Sequence, residues 1–164
     1  MSKKKAVFLD RDGVINKNKI NYVKSIDELE IFPNIEKSIH KLKTHGFHVI
    51  VITNQSVINR NIISNERLNE IHLHIQQYLE KFDTSIDHFY FCPHRPDENC
   101  ICRKPKPGLL LNAIKDFNID PKSSWMLGDN DSDIQAGLDA GCNTIKIDNE
   151  TNLQKAVDKI LNSC

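Results

Sequence analysis

The stretch AVFLDRDG, residues 6–13, sets an unbroken apolar run directly before two aspartates two residues apart and a glycine. Apolar residues without polar alternation leave no face for water, which is the pattern of a strand buried on both sides of a parallel sheet. FHVIVI at 47–52 repeats the pattern and stops at Thr53 and Asn54. Shorter runs of the same kind lie at 88–91, 125–127 and 144–147, each ending where polar residues or Gly begin. Helical spacing fills the intervals: Ile35, Ile39 and Leu42; then Leu68, Ile71, Ile75, Leu79 and Phe82; Leu110, Ile114 and Phe117 after Pro107; Leu153, Val157 and Ile160 after Thr151. Strands alternating with helices give an α/β fold, an open and mainly parallel sheet flanked by helices.

No repeat or linker divides the 164 residues, so 1–164 reads as one domain. Lys and Arg number 22 against 22 Asp and Glu. That balance speaks against holding nucleic acid or an anionic membrane by bulk positive charge, and the expected partner is a small molecule. No apolar run reaches the roughly 18 residues of a membrane span, and none of signal-peptide length follows the basic start, so the expected address is cytoplasmic. Without an obvious exposed apolar stripe, a monomer is expected. Two irregular stretches, 16–30 and 92–108, follow strand C-termini, where open α/β sheets place their ligands.

Asp10 and Asp12 stand at the mouth of the first strand with Gly13 allowing a sharp turn behind them. Paired carboxylates on one ligand need a cation or a shared proton, and oxygen donors clustered this tightly suit Mg²⁺. A carboxylate beside Mg²⁺ can attack phosphorus, while its neighbour protonates a leaving oxygen and later activates water. Thr53 offers a hydroxyl to a phosphate oxygen, with the Asn54 and Gln55 backbone amides beside it. Arg103 and Lys104 can set two positive charges over a transferring group. Asp129 can complete a Mg²⁺ shell, with Asp133 orienting it from behind. Each has a bland alternative, namely turn aspartates, a capping Thr, a surface Arg-Lys pair and a helix-capping Asp. Four such features at successive strand ends make the bland readings a poor joint explanation.

Cys92, His94, Cys100 and Cys102 form a CxHx5CxC pattern, the three thiolates and one imidazole of a closed structural Zn²⁺ site. Such a zinc has no open position for water, so its role is to fold the loop and hold Arg103 and Lys104 beside the last ligand. Cys142 and Cys164 are left over, as a small packed residue and a terminal thiol. His72 and His74 are two apart, diverge on a helix and receive no function. A reading of another class makes the loop a zinc knuckle on a binding module with structural carboxylates. Neutral charge argues against its nucleic-acid form.

DRDG at 10–13, Thr53 after an apolar strand, Lys104 and GDNDSD at 128–133 together resemble the haloacid dehalogenase superfamily over essentially the whole chain. Within it, ITNQS at 52–56 and CPHRPDENCICRKPKPG at 92–108 are similar to the small zinc-containing phosphatases of heptose bisphosphate or histidinol phosphate. The resemblance implies a Rossmann-like sheet without a large cap domain. It implies Asp10 as nucleophile, Asp12 as general acid and base, Thr53 and Lys104 holding the phosphoryl group and Arg103 recognising substrate. Mg²⁺ would sit on the Asp10 carboxylate, the Asp12 backbone carbonyl and Asp129. NQSVINR, with Ser56 and Arg60, and RKPKPG resemble the enzymes that remove the 7-phosphate of heptose 1,7-bisphosphate, whereas five residues between His94 and Cys100 resemble the compact loop of histidinol phosphatases. Tyr22 matches a sugar-pocket position. Asn61 and Asn130 depart from the heptose pattern, where Gly and Lys are common.

Overall fold

The structure, a computed structural model, describes residues 2–164. Five strands, β1 (Lys5–Leu9), β2 (Phe47–Asn54), β3 (His88–Cys92), β4 (Trp125–Gly128) and β5 (Asn143–Lys146), form one sheet in the order β3-β2-β1-β4-β5. Every neighbouring pair is parallel, with Leu9 opposite Val51 on one side and Leu127 on the other. The unbroken apolar runs are explained by two cores. Val7, Leu9, Val49, Val51 and Leu127 face one cluster, while Ala6, Phe8, Ile50, Ile52 and Met126 face the other. Successive side chains point to opposite faces, so a strand covered on both sides must be apolar at every position.

Helices α1 (Ile35–Thr44), α2 (Asn65–Glu80) and α5 (Leu153–Asn162) contribute Ile39, Leu42, Ile75, Leu79, Val157 and Ile160 to the first core. Helices α3 (Gly108–Phe117) and α4 (Asp131–Asp139) cover the second with Leu109, Leu110, Ala113 and Ala136. Among the described residues, no large cap domain interrupts these elements, and no helix is long and apolar enough to cross a membrane.

Three local differences from the sequence expectation have physical causes. Helix α4 gives no apolar stripe because it packs with small residues: a Cβ on Gly137 would lie 2.7 Å from Met126 Cβ and 2.8 Å from Thr144 Cγ2. Phe82 does not extend the buried face of α2, since the helix ends at Glu80 and Asp83 turns the chain with φ 53°, leaving Phe82 46% exposed. Strand β5 runs one residue earlier than 144–147, and Ile147 instead donates its N–H to Gly128 O at 2.8 Å beyond the strand.

Strand β1 is the topological switch: the chain passes to β2 and β3 on one side and to β4 and β5 on the other. The crevice beyond its C-terminus is where such sheets bind ligands.

Candidate active site

Asp10 continues β1 by donating its N–H to Leu127 O at 3.0 Å, which carries its carboxylate to the crevice. There Lys104, buried, gives its Nζ to Asp10 Oδ1 at 3.0 Å and Ile52 O at 2.7 Å, and pairs with Asp133 Oδ1 at 2.6 Å. Two of its donors are hydrogen-bonded to protein oxygens, and the Asp133 contact is an ion pair. Burial alone would lower the Lys104 pKa, but Asp10 and Asp133 outweigh it and raise it, so the charge is kept. Burial, opposed by Lys104 and reinforced by Asp133 and Asp12, pushes Asp10 up to about 7. Asp129 is raised too, by burial and then by Asp133.

Carboxylate oxygens of Asp10, Asp129 and Asp133 lie within 4.8 Å of one another. Three carboxylates against one buried ammonium leave excess negative charge, and oxygen-only donors around it fit a hard divalent cation such as Mg²⁺. The Asp12 carboxylate stands apart from this group. Its Oδ1 accepts from Arg11 Nη2 at 2.9 Å and Asn16 Nδ2 at 2.9 Å, and its Oδ2 accepts from Gln55 Nε2 at 2.9 Å. Burial works against ionisation of Asp12, but the Arg11 charge and these hydrogen bonds prevail and lower its pKa.

The carboxylates open into a cavity of about 390 Å³ lined by Asp10, Asp12, Tyr22, Asn54, Gln55, Ser56, Arg60, Arg103, Lys104, Asn130 and Asp133, among others. Thr53 and Asp129 are not in that lining. Thr53, 1% exposed, accepts from Gln55 Nε2 at 2.9 Å and so retains its own hydroxyl hydrogen to donate. Asp129 borders a second cleft of about 630 Å³ between the first turns of α1 and α5.

The zinc-type loop converges as its spacing implies. Cys92, His94, Cys100 and Cys102 place one ligand atom each within 4.8 Å of all the others. Sγ separations of 3.0 Å (Cys92 to Cys102) and 3.6 Å (Cys92 to Cys100) far exceed the ~2.05 Å of a disulfide. They approach the ~3.8 Å edge of a tetrahedron with ~2.3 Å Zn–S bonds. Burial raises the Cys92 and Cys102 thiols, whereas Cys100, against its own burial, is drawn to about 7 by the Arg103 and Cys102 N–H groups. Cys92 and Cys102 lose their protons readily only to a cation, and the donor set fits Zn²⁺.

A family model for haloacid dehalogenase-like hydrolases matches residues 4–141. The chain belongs to this family. It is 42% identical over 141 residues to a D-glycero-beta-D-manno-heptose-1,7-bisphosphate 7-phosphatase of Helicobacter pylori, covering 85% of this chain and 81% of the relative. A Pasteurella multocida protein of the same name is 38% identical, with 84% and 77% covered. The structure of D,D-heptose 1,7-bisphosphate phosphatase from B. bronchiseptica, complexed with magnesium and phosphate, superposes with TM-score 0.89 at 29% identity, covering 98% of this chain and 99% of that one.

One sequence expectation for this hydrolase is corrected. The Gln55 backbone N–H is not available to a phosphate, because the β2 to β3 pairing runs on and the group donates to Cys92 O at 2.8 Å. Asn54 lines the cavity, and its side chain also braces the next loop, accepting from Lys104 N at 3.1 Å and donating to Lys104 O at 3.2 Å. Ser56 accepts from Arg60 Nε at 3.0 Å, and Arg103 Nη1 donates to His94 O at 3.1 Å, which fixes both cations at the rim.

Residues that sequence reading passed over are Arg11, Asn16, Asn18 and His72. Asn18 Nδ2 donates to Asp129 Oδ2 at 3.0 Å across 111 positions, a contact with no local signature. His72 did carry one, since it interrupts the apolar stripe of Leu68, Ile71 and Ile75 and is nonetheless buried.

Gly13 has φ +90°, and a Cβ there would fall 2.1 Å from Asp129 Oδ2. Gly13→Ala should therefore push Asp129 aside and strain the turn, destabilising the fold by about 1–3 kcal/mol. Thermal melting and Mg²⁺ titration check this. An unchanged melting temperature together with unchanged Mg²⁺ affinity would refute the close approach.

Proposed function

We propose that this hydrolase is a Mg²⁺-dependent phosphatase that removes the 7-phosphate of D-glycero-beta-D-manno-heptose 1,7-bisphosphate through an aspartyl phosphate at Asp10. The observation that carries the reading is the buried Asp10–Lys104–Asp133 chain at the floor of a polar cavity rimmed by Arg60 and Arg103. Asp10 Oδ1 is taken by Lys104 and by Arg11 N at 2.9 Å, which leaves Oδ2 for attack. Asp12, ionised in the free protein, takes up a proton when the anionic substrate binds beside it; as the Asp10–phosphorus bond forms, the bond from phosphorus to the C7 oxygen breaks, and that oxygen receives this proton. Asp12 then receives a proton from water, whose oxygen attacks phosphorus and frees the Asp10 carboxylate. Lys104, whose Nζ is met by Asp10, Ile52 O and Asp133, acts on the phosphoryl group through its charge, and the Thr53 hydroxyl keeps a hydrogen for an equatorial oxygen.

Asp10 and Asp129 would hold Mg²⁺ with the Asp12 backbone carbonyl, backed by Asp133; when bound, the ion neutralises charge shared by nucleophile and phosphoryl oxygens. Cys92, His94, Cys100 and Cys102 would hold a structural Zn²⁺. Tyr22, Ser56, Arg60, Arg103 and Asn130 line the space for the rest of the substrate. Among the described residues, no carboxylate lies within 4 Å of Arg60 or Arg103 as an ion pair. Two unneutralised guanidinium groups at the rim favour a second phosphate and disfavour the cationic amine of histidinol phosphate. The relatives' names supply the sugar and its anomer. The same reading has the protein working as a cytoplasmic monomer.

A panel of both heptose bisphosphate anomers and histidinol phosphate, each with Mg²⁺, tests the reading. The beta bisphosphate should lead the others in kcat/KM by about tenfold or more. Faster turnover of histidinol phosphate would assign the enzyme to the other substrate class.

A further inference from the structure

Arg11 lies between the two aspartates and is 1% exposed. Its Nε and Nη2 reach Asp12 Oδ1 at 3.2 and 2.9 Å, and its Nη1 faces Nε2 of His72 at 3.1 Å. A guanidinium has donors only, so Nε2 must be the acceptor and the His72 ring is neutral, with its proton on Nδ1. Burial, and then the Arg11 charge, hold the His72 pKa down at about 3, in keeping with that tautomer. The ring is fixed from its other side by stacking on Phe89 of β3, with centroids 4.5 Å apart and planes 16° from parallel.

None of the three groups that hold Asp12 is free to wander. Asn16 Nδ2 also donates to Lys17 O at 3.1 Å, and Gln55 Nε2 is shared with Thr53. Arg11 has the longest side chain of the three and the most rotamers to lose, and its anchor is His72. Helix α2 contributes nothing to the cavity lining, yet through this ring it reaches the acid–base carboxylate at one remove. A buried guanidinium costs several kcal/mol unless its donors are met, so an apolar side chain would serve packing better at this point. What an apolar residue cannot do is present a forked donor to Asp12.

We propose that His72 is a positioning residue for the acid–base step: its Nε2 sets the plane of the Arg11 guanidinium, which in turn holds the Asp12 carboxylate where it meets the leaving oxygen. The proposal rests on the reading of Asp12 as general acid, and the two can be tested apart. For a reaction through Asp10, kcat/KM reports steps up to departure of the alcohol. A sugar alkoxide needs a proton to leave; p-nitrophenolate does not. Misplacing Asp12 therefore slows the first and spares the second, whereas general damage to the fold slows both.

The test compares kcat/KM for heptose bisphosphate and p-nitrophenyl phosphate in wild type, His72→Phe, His72→Gln and Asp12→Asn, with Mg²⁺ present. His72→Phe keeps a ring on Phe89 and removes the acceptor. It should lose about 10–100-fold on the sugar phosphate and less than about threefold on the aryl ester, a part of the 10²–10⁴ that general acid catalysis supplies. His72→Gln, whose amide oxygen can take the place of Nε2, should recover to within about threefold of wild type. Equal loss on both substrates, no loss, or the same loss in both His72 variants overturns the proposal. If His72→Phe does not fold, Arg11→Lys must show the same selective loss, since an ammonium cannot bridge both partners. If Asp12→Asn itself fails to discriminate the substrates, the acid role of Asp12 falls first.

Discussion

Replacing Asp10 by Asn should lower phosphate release at least about 10⁴-fold with the protein still folded. An amide has no nucleophilic oxygen to form the acyl phosphate, but it keeps an acceptor for Lys104, which lies 3.0 Å from Oδ1. The same variant should be more stable than wild type in the absence of divalent metal. The folded-state pKa of Asp10, about 7, lies above the ordinary ~3.9. A raised carboxyl pKa means the native state resists ionisation, so the group weakens the fold progressively as pH rises from about 4 to about 7. Asn does not ionise and escapes this penalty. At pH 8 the gain should be about 1–2 kcal/mol after allowing for Lys104, a few degrees in melting temperature, and it should vanish near pH 4. Adding Mg²⁺ should favour wild type more than the variant. Substantial turnover by the Asn variant would end the aspartyl-phosphate mechanism.

Removing the proposed zinc should also cut turnover, although none of its four candidate ligands lines the cavity. The chain reaches Lys104 two residues after Cys102, and the Arg103 N–H lies 3.3 Å from Cys100 Sγ. Cys100→Ser, or chelation of the purified protein, should release the metal, raise hydrogen exchange across 92–108 and reduce turnover about 10²-fold or more. The loss should exceed that of an ordinary surface change because Lys104 is fully buried between Asp10 and Asp133. A displaced loop withdraws the ammonium and leaves two carboxylates unpaired, at about 3–5 kcal/mol. Zinc-free protein with full activity and unchanged exchange in the loop would show that the metal site and the catalytic charge are independent.

The parts of this molecule legible in its sequence are those whose cause is local. Strands β1 and β2 announce themselves because burial on two faces forces nearly every covered residue to be apolar, and the four residues proposed to hold zinc because eleven residues contain them all. Asp10, Asp129 and Lys104 are legible for a related reason, each standing where a strand or a metal loop ends. What could not be read depends on distance. The contact of Arg11 with His72 joins residues 61 apart, and Asn18 meets Asp129 across 111. Helix α4 was silent because its packing face is made of Ala136 and Gly137, whose small volumes fit against Met126 and carry no hydropathy signal. Gln55 misled because nothing in NQS tells whether its N–H will be spent on a neighbouring strand.

The two sides of the cavity are built to different standards. On one, strand ends are cross-tied by Asn54 to Lys104 and by Asn59 to Glu98, so the reacting groups share a single stiff frame. On the other, the segment carrying Tyr22 and the fully exposed Ile20 is anchored by the buried Val23 and by ion pairs of Lys17 and Lys19 with Glu30 at the surface. Exposed pairs of that kind contribute about 0–1 kcal/mol. Inheritance can therefore act on the two walls separately. Mutations in 19–22, which leave out Asn18 on Asp129 and the buried Val23, can reshape which alcohol fits at little risk to the fold, while the machinery opposite stays as it is. A lineage carrying this architecture can acquire a new substrate before it has to alter its chemistry.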